Sequence, residues 1–182
     1  FFVFATQNPI ELEGTYPLPE AQLDRFMFQV AVDYLSEDDE VRVVRATTAT
    51  EAHRFARAVT GADLVAYQAL VRRVPVSEAV ARYAVHLARA SRPGSPTAPA
   101  AVKEYAAFGA SVRAPQQLVL AAKARALMLG RHHVGFDDVR ALVKPVFRHR
   151  VLPNFHARAE GVTSDRIVDE LVRAVPVPRS GL

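Results

Sequence analysis

The sequence contains no cysteine, so its 182 residues can form neither disulfides nor thiolate metal sites. It also has no apolar run near the roughly 18 residues of a membrane-spanning helix. Half of the residues are hydrophobic, which excludes the composition of an intrinsically disordered chain. These observations predict a globular protein, and we expect it in the cytoplasm.

The phosphate-binding pattern G-x-x-x-x-G-K-[ST] is also missing. The only lysines are Lys103, Lys123 and Lys144, and none of them follows a glycine. No apolar strand ends in the Asp-Glu pair that would hold a magnesium ion. The chain begins with the apolar run 1–4, which is typical of a buried strand rather than of a solvated terminus. We therefore expect a fragment of a longer protein, without a complete nucleotide site of its own.

Charge is distributed unevenly along the sequence. Residues 1–40 contain nine acids and one base, Arg25, for a net charge of −8. The remaining residues contain 22 bases, nearly all of them arginines, and 10 acids, for a net charge of +12. Arginine presents planar, bidentate donors to phosphates and carboxylates. A basic region facing an acidic one would suit a nucleotide between them or a neighbouring subunit, and nucleic acid is the rival partner.

The predicted fold is an α/β segment followed by a helical bundle, mostly α overall. Residues 1–46 combine two short apolar runs that predict strands, 1–5 and 26–32, with a helix that begins after Ser36. Residues 47–60 are interpreted as a connector. Residues 61–182 are predicted to form helices in series, at 62–73, 77–91, 101–108, 111–130, from 136 onward, and 163–175.

Three short motifs carry the most specific information. The first run ends in Ala5-Thr6-Gln7-Asn8-Pro9, and Leu23-Asp24-Arg25-Phe26 follows a short predicted helix. Gly109-Ala110-Ser111-Val112-Arg113 lies at the predicted start of the long helix, with Arg113 in its first turn. These motifs resemble the sensor 1, arginine-finger and sensor 2 regions of the MoxR-type AAA+ ATPases. The pattern from 127 to 178 also resembles that family's helical lid, so the resemblance covers nearly the whole chain.

The resemblance implies a role for one residue of each motif. Asn8 would be the sensor 1 residue, because an amide can accept a hydrogen bond from water and donate one to a γ-phosphate. Arg25 would be the arginine finger, which neutralises charge on a neighbouring subunit's phosphoryl group. Arg113 would be the sensor 2 residue, which adds donors at a helix N-terminus that already favours anions. Val112 departs from the proline that the family often has before this arginine.

Each of these residues also has a purely structural interpretation. Asn8 precedes a proline and could simply begin a turn. Arg25 could form a surface salt bridge with Asp24 or Glu20, and Arg113 could be a solvated residue at a helix end. Asp24 itself is interpreted as an orienting partner or a helix-end group rather than as a catalyst. The histidines lack metal-ligand spacing, and His149 is expected in an exposed basic connector.

For function, the resemblance implies the end of an AAA+ core, residues 1–46, joined to a lid, residues 61–182. The full-length protein would use ATP and Mg²⁺ and form a homo-oligomeric ring, with six subunits expected. It would act as a chaperone on client enzymes, with von Willebrand factor A-domain proteins as partners. The fragment alone is not expected to bind these cofactors tightly or to hydrolyse ATP.

Two alternatives come from other functional classes. A nucleic-acid-associated motor or binding module would use the basic region, including the cluster 144–150, and would bind DNA with a steep salt dependence. A plain helical interaction domain would have no role in nucleotide chemistry, so loss of Arg25 or Arg113 would leave ATP turnover unchanged.

Overall fold

The computed structural model describes residues 3–7, 18–50 and 56–178. Within these ranges the chain is mostly helical, and a single antiparallel pair of short strands is present. The helices are α1 Glu20–Leu23, α2 Glu37–Thr47, α3 Gly61–Arg73, α4 Glu78–Ala90, α5 Ala100–Tyr105, α6 Arg113–Met128, α7 Phe136–Phe147, α8 Phe155–Ala159 and α9 Ser164–Ala174. The strands are β1 Ala106–Phe108 and β2 Leu152–Pro153.

Side-chain caps fix the starts of several helices. Ser36, Ser77 and Thr163 each accept a hydrogen bond from the backbone N–H three residues later, which satisfies a donor that the first turn leaves free. At α3, Thr60 and Asp63 exchange such bonds in a capping box. The starts predicted at Ser36 and Ser77 are therefore confirmed.

The core lies among α4, α6, α7 and α9, which pack against one another. Each buries an apolar face, as the helical spacing of its hydrophobic residues predicts. Tyr83 of α4 meets Phe136 of α7 edge to face, with ring centroids 5.6 Å apart. The largest side chains that are fully buried are Tyr83, Phe147, Leu87, Leu118, Ile167 and Leu171. By contrast, α2 and α3 bury none of their residues.

The strands predicted at 1–5 and 26–32 are not formed in the described part of these segments. Residues 3–5 and 28–32 have no regular secondary structure, and Val32 is 89% exposed. A strand gains its stability from a hydrogen-bonded neighbour, and no strand lies beside either segment within the described ranges. The apolar pattern was therefore insufficient to make a strand here. Residues 1 and 2 lie outside the described residues.

Two further differences concern the stretch after α5. The helix predicted over 101–108 ends at Tyr105, and residues 106–108 continue as β1, which pairs with β2. Asn154 follows β2, and its side-chain Nδ2 donates to the carbonyl of Glu104, while its side-chain Oδ1 accepts from the backbone N–H of Ala157 and caps α8. These contacts join residues about fifty positions apart, so local periodicity could not predict them.

Candidate functional site at the junction of residues 24–29 with the helical bundle

The carboxylate of Asp24 joins the segment after α1 to the helical bundle. Its Oδ1 accepts from Nε of Arg150 at 2.8 Å. Its Oδ2 accepts from Oγ of Ser111 at 2.8 Å and from Nη1 of Arg113 at 3.1 Å. Burial raises the pKa of Asp24, but the hydrogen bonds from Ser111, Arg150 and Arg113 outweigh it and leave the pKa below its ordinary value. Asp24 is therefore held as an anion between two arginines.

Arg150 also binds the backbone around Asp24. Its side chain is only 1% exposed. Nη2 donates to the carbonyl of Asp24 at 2.7 Å and to that of Phe26 at 2.6 Å. Nη1 donates to the carbonyl of Met27 at 3.3 Å and to that of Val146. Arg150 thus connects the last turn of α7 to residues 24–27.

Contacts from the neighbouring residues extend this junction. Nε2 of His149 lies 3.1 Å from the carbonyl oxygen of Phe26. The backbone N–H of Gln29 donates to the carbonyl of Pro145 at 2.9 Å, and Nη1 of Arg148 donates to the carbonyl of Gln29 at 2.9 Å. Residues 145–150 therefore hold positions 24, 26, 27 and 29 against the helical bundle. Burial lowers the pKa of His149 to about 4, so the imidazole is neutral at pH 7.

The start of α6 places Ser111 and Arg113 at this junction. Arg113 is the first residue of α6, and its backbone N–H donates to Oγ of Ser111 at 3.1 Å. The residue directly before the helix is Val112, so Ser111, which the sequence predicts as the cap, lies one position before the cap position of α6. Pro115 lies in the first turn of α6, where its missing N–H costs no helical hydrogen bond.

Gly109 allows the chain to reach this position. A side chain there would place its Cβ in overlap with the carbonyl of Ser91 and 2.6 Å from Cα of Arg92. Oγ of the buried Ser91 accepts from the backbone N–H of Ala110 at 2.9 Å, which fixes the same approach. The glycine is therefore required by close packing between the end of α4 and the segment before α6.

The three residues singled out in the sequence have different positions. Arg113 contacts Asp24 while its side chain stays 44% exposed. Arg25 is exposed, next to Asp24 in the chain, and the ion pairs considered for it with Asp24 or Glu20 do not form. Asn8 lies outside the described residues. The junction thus places an exposed arginine beside a carboxylate that a second, half-exposed arginine contacts.

The basic cluster 144–150 differs from its prediction as an exposed surface. Phe147, Arg150 and His149 are buried. Arg148 binds Asp165 through Nε at 2.7 Å, and Lys144 lies 2.9 Å from Asp169. The cations of this cluster are therefore paired within the chain. The expectation of an exposed His149 was wrong, because its ring is buried with Nε2 3.1 Å from the carbonyl oxygen of Phe26.

Sequence reasoning missed Arg150 as part of the site. A signal was present, because Arg150 lies four residues after Val146, which belongs to the apolar stripe of α7. Residues four apart share a helix face, so this spacing directs Arg150 towards the core rather than towards solvent. An arginine there needs acceptors, and the residues 24–27 supply them.

Within the described ranges, no group of three or more histidines and acids is arranged to hold a metal ion. No helix in this part of the chain is both long and apolar enough to cross a membrane.

Comparison with known proteins assigns both sides of the junction. Residues 1–28 match the model of the ATPase family associated with various cellular activities (AAA), and residues 98–171 match the AAA lid domain. Asp24 lies in the first match, whereas Arg113 and Arg150 lie in the second. The ion pairs described above therefore join the two matched regions.

Individual relatives match almost the whole chain. Chaperone MoxR1 of Mycobacterium tuberculosis is 36% identical over 179 residues, which cover 98% of this chain and 47% of that protein. Protein MoxR of Paracoccus denitrificans is 33% identical, with 97% and 56% covered. The crystal structure of a Cytophaga hutchinsonii protein assigned as an ATPase superposes with a TM-score of 0.86 at 33% identity and covers 95% of this chain and 53% of that one. The chain spans about half the length of these relatives, and it belongs to the MoxR family of AAA+ ATPases.

Proposed function

We propose that this chain is the lid and the adjoining end of the core in a MoxR-type AAA+ ATPase, with 1–46 as the core piece, 47–60 as the connector and 61–182 as the lid. In the full-length protein, ATP binding and hydrolysis would drive chaperone-like remodelling of partner proteins. The chain alone would not hydrolyse ATP, since its sequence contains no P-loop.

Three side chains would respond to the terminal phosphate. Arg25 would act in trans on the nucleotide of the next subunit, where a guanidinium neutralises the charge that develops during phosphoryl transfer. Arg113 would bind the γ-phosphate, and Asn8 would orient the attacking water. The proposal for Asn8 is carried by the motif alone.

The observation that best supports this proposal is the position of Asp24 between Arg113 and Arg150, immediately before the exposed Arg25. A γ-phosphate would compete with Asp24 for Arg113, because both ligands are anions that an arginine binds through paired donors. Gain or loss of that phosphate would therefore alter a contact between the AAA-matched segment and the lid-matched bundle. Such a ligand-dependent contact is what a two-state domain movement requires.

The assembly and the partners belong to the same proposal. We expect a homo-oligomeric ring, most simply a hexamer, because Arg25 is exposed and an arginine finger acts only on a neighbouring subunit. Client enzymes and von Willebrand factor A-domain proteins are the proposed partners, and the cytoplasm is the proposed location. Mg²⁺ would bind with ATP in the full-length protein, through an acidic motif that this sequence does not contain.

Steady-state ATP turnover by the full-length protein tests the two arginines. We expect Arg25→Ala to lower kcat by about 10³-fold or more, because an arginine finger contributes about 10³–10⁵ in rate. Arg113→Ala should lower turnover and weaken nucleotide binding. Arg166→Ala, which removes an exposed arginine from α9, is the matched control and should leave both unchanged. Unchanged turnover in both Arg25→Ala and Arg113→Ala would favour a helical interaction domain instead.

A further inference from the structure

Arg150 has an unusually complete set of hydrogen bonds. An arginine side chain carries five N–H donors in one plane. Those of Arg150 point at five acceptors, which are one carboxylate oxygen of Asp24 and the carbonyls of Asp24, Phe26, Met27 and Val146. Four of these acceptors belong to residues 24–27. The side chain therefore binds both sides of the peptide segment that contains Arg25.

Only an arginine can satisfy this set. A lysine offers three donors from one point, so at least two acceptors would lose their partner. The acceptors face a side chain that is 1% exposed, so water cannot simply replace a missing donor. Loss of these hydrogen bonds from the guanidinium of Arg150 would thus release the backbone of residues 24–27, which includes Arg25.

We propose that Arg150 is a positioning residue, which fixes the backbone of residues 24–27 and thereby aims the exposed Arg25 at a neighbouring subunit's nucleotide. This inference depends on the proposed function of Arg25. Because the side chain of Arg150 is buried, it would act through Arg25 rather than on the nucleotide directly.

The two carboxylate oxygens of Asp24 bind different arginines, Oδ1 binding Arg150 and Oδ2 binding Arg113. Arg150 binds Oδ1 and four carbonyls, whereas Arg113 binds only Oδ2 and stays 44% exposed. A phosphate that binds Arg113 therefore removes one hydrogen-bond partner from Asp24, and the hydrogen bonds of Arg150 remain in place. The backbone around Arg25 stays fixed while Arg113 exchanges the carboxylate of Asp24 for the phosphate.

The test is a double-mutant cycle on kcat in the full-length protein, with Arg150→Lys, Arg25→Ala and the two combined. We expect Arg150→Lys to lower kcat by about 10–100-fold with KM for ATP within about twofold, because a displacement of about 1 Å can cost about 10²-fold in rate. The combined variant should be no slower than Arg25→Ala, since residues that act as one unit are not additive. Circular dichroism verifies that each variant is folded.

Arg131→Lys is the control for a general loss of stability. Arg131 pairs with the buried Asp138, away from residues 24–27. Its replacement should lower the melting temperature without changing kcat. If Arg150→Lys acts in the same way, or if it slows Arg25→Ala by a further tenfold, Arg150 does not work through Arg25 and the inference is overturned.

A second variant addresses the same contact should Arg150→Lys fail to fold. Asp24→Asn keeps an oxygen for Nε of Arg150 but removes the charge, and we expect it to lower kcat by about 3–10-fold, as the loss of one charge-assisted hydrogen bond implies. Combined with Arg25→Ala it should cause no further loss; an unchanged kcat or a further loss would contradict the inference. If Arg25→Ala itself leaves kcat unchanged, the proposed function fails instead, so the two failures are distinguishable.

Discussion

Asp138 offers a quantitative test of what holds the helical bundle together. Its side chain is fully buried in the first turn of α7. Oδ1 accepts from Nη1 of Arg125 at 2.6 Å and also binds Arg131. Oδ2 accepts from Nη1 of Arg131 at 2.6 Å and from the backbone N–H of Gly135 at 2.9 Å. One carboxylate therefore joins the end of α6, the following turn and the start of α7.

The pKa of Asp138 sets the expected magnitude. Burial raises this pKa, but the hydrogen bonds from Arg131, Gly135 and Arg125 reverse the effect and lower it from 3.8 to about 2. At about 1.4 kcal/mol per pKa unit, ionised Asp138 stabilises the folded state by about 2–3 kcal/mol at pH 7. Because the folded-state pKa is the lower one, this contribution is complete above the unfolded-state pKa. It declines as the pH falls from about 3.8 towards 2, with about half left at pH 3.

Urea unfolding of Asp138→Asn, compared with the unaltered chain at pH 7 and pH 3, measures this contribution. We expect the free energy of unfolding to fall by about 2–3 kcal/mol at pH 7 and by about half as much at pH 3. Asp137→Asn is the matched control, since that neighbouring carboxylate is exposed and contributes only about 0.3–1 kcal/mol through the helix dipole. A difference below about 0.5 kcal/mol, or one that is equal at both pH values, would refute the reasoning.

Two further predictions concern the junction itself. Gly109→Ala should lower the free energy of unfolding in urea by about 3 kcal/mol, because its Cβ would overlap the backbone of Ser91. Gly94→Ala is the control, since Gly94 has open space around it, and it should change this free energy by less than about 0.5 kcal/mol. Equal effects would mean that the close approach is not required. For His149, the pKa is about 4 in the folded state against 6.5 in the unfolded state, so the unfolded state binds the proton first as the pH falls. Stability should therefore drop by about 2 kcal/mol between pH 7 and pH 5, and this slope should be absent in His149→Gln; an equal slope in both proteins would contradict the assignment.

The sequence was sufficient to predict the features that depend on local chemistry. Ser36 and Ser77 begin helices because a hydroxyl before an amphipathic stretch satisfies free N–H donors. Arg113 was predicted in the first turn of the long helix and is the first residue of α6. Asp24 was interpreted as an orienting group, and its bonds to two arginines agree with that interpretation.

Features that depend on distant residues could not be predicted. Val30 and Val32 are β-branched apolar residues typical of a strand. A strand also needs a hydrogen-bonded neighbour, which the described residues do not supply. Arg150 was assigned to an exposed basic cluster. Its spacing from Val146 favours a buried position, but it could not indicate the acceptors, most of which lie more than 120 positions earlier. Burial of a charge is decided by its acceptors, and the local pattern contains no information about them.

The central claim is that Arg25 serves a nucleotide bound to another subunit, and mixing two inactive variants of the full-length protein tests it most directly. One variant carries Arg25→Ala, and the other carries a substitution of the P-loop lysine, which abolishes ATP binding but keeps Arg25. Each should be inactive alone. The mixture should regain ATP turnover, because subunits with an intact P-loop then lie beside subunits with an intact Arg25. No recovery at any mixing ratio, or normal turnover by the Arg25→Ala variant alone, would contradict the account.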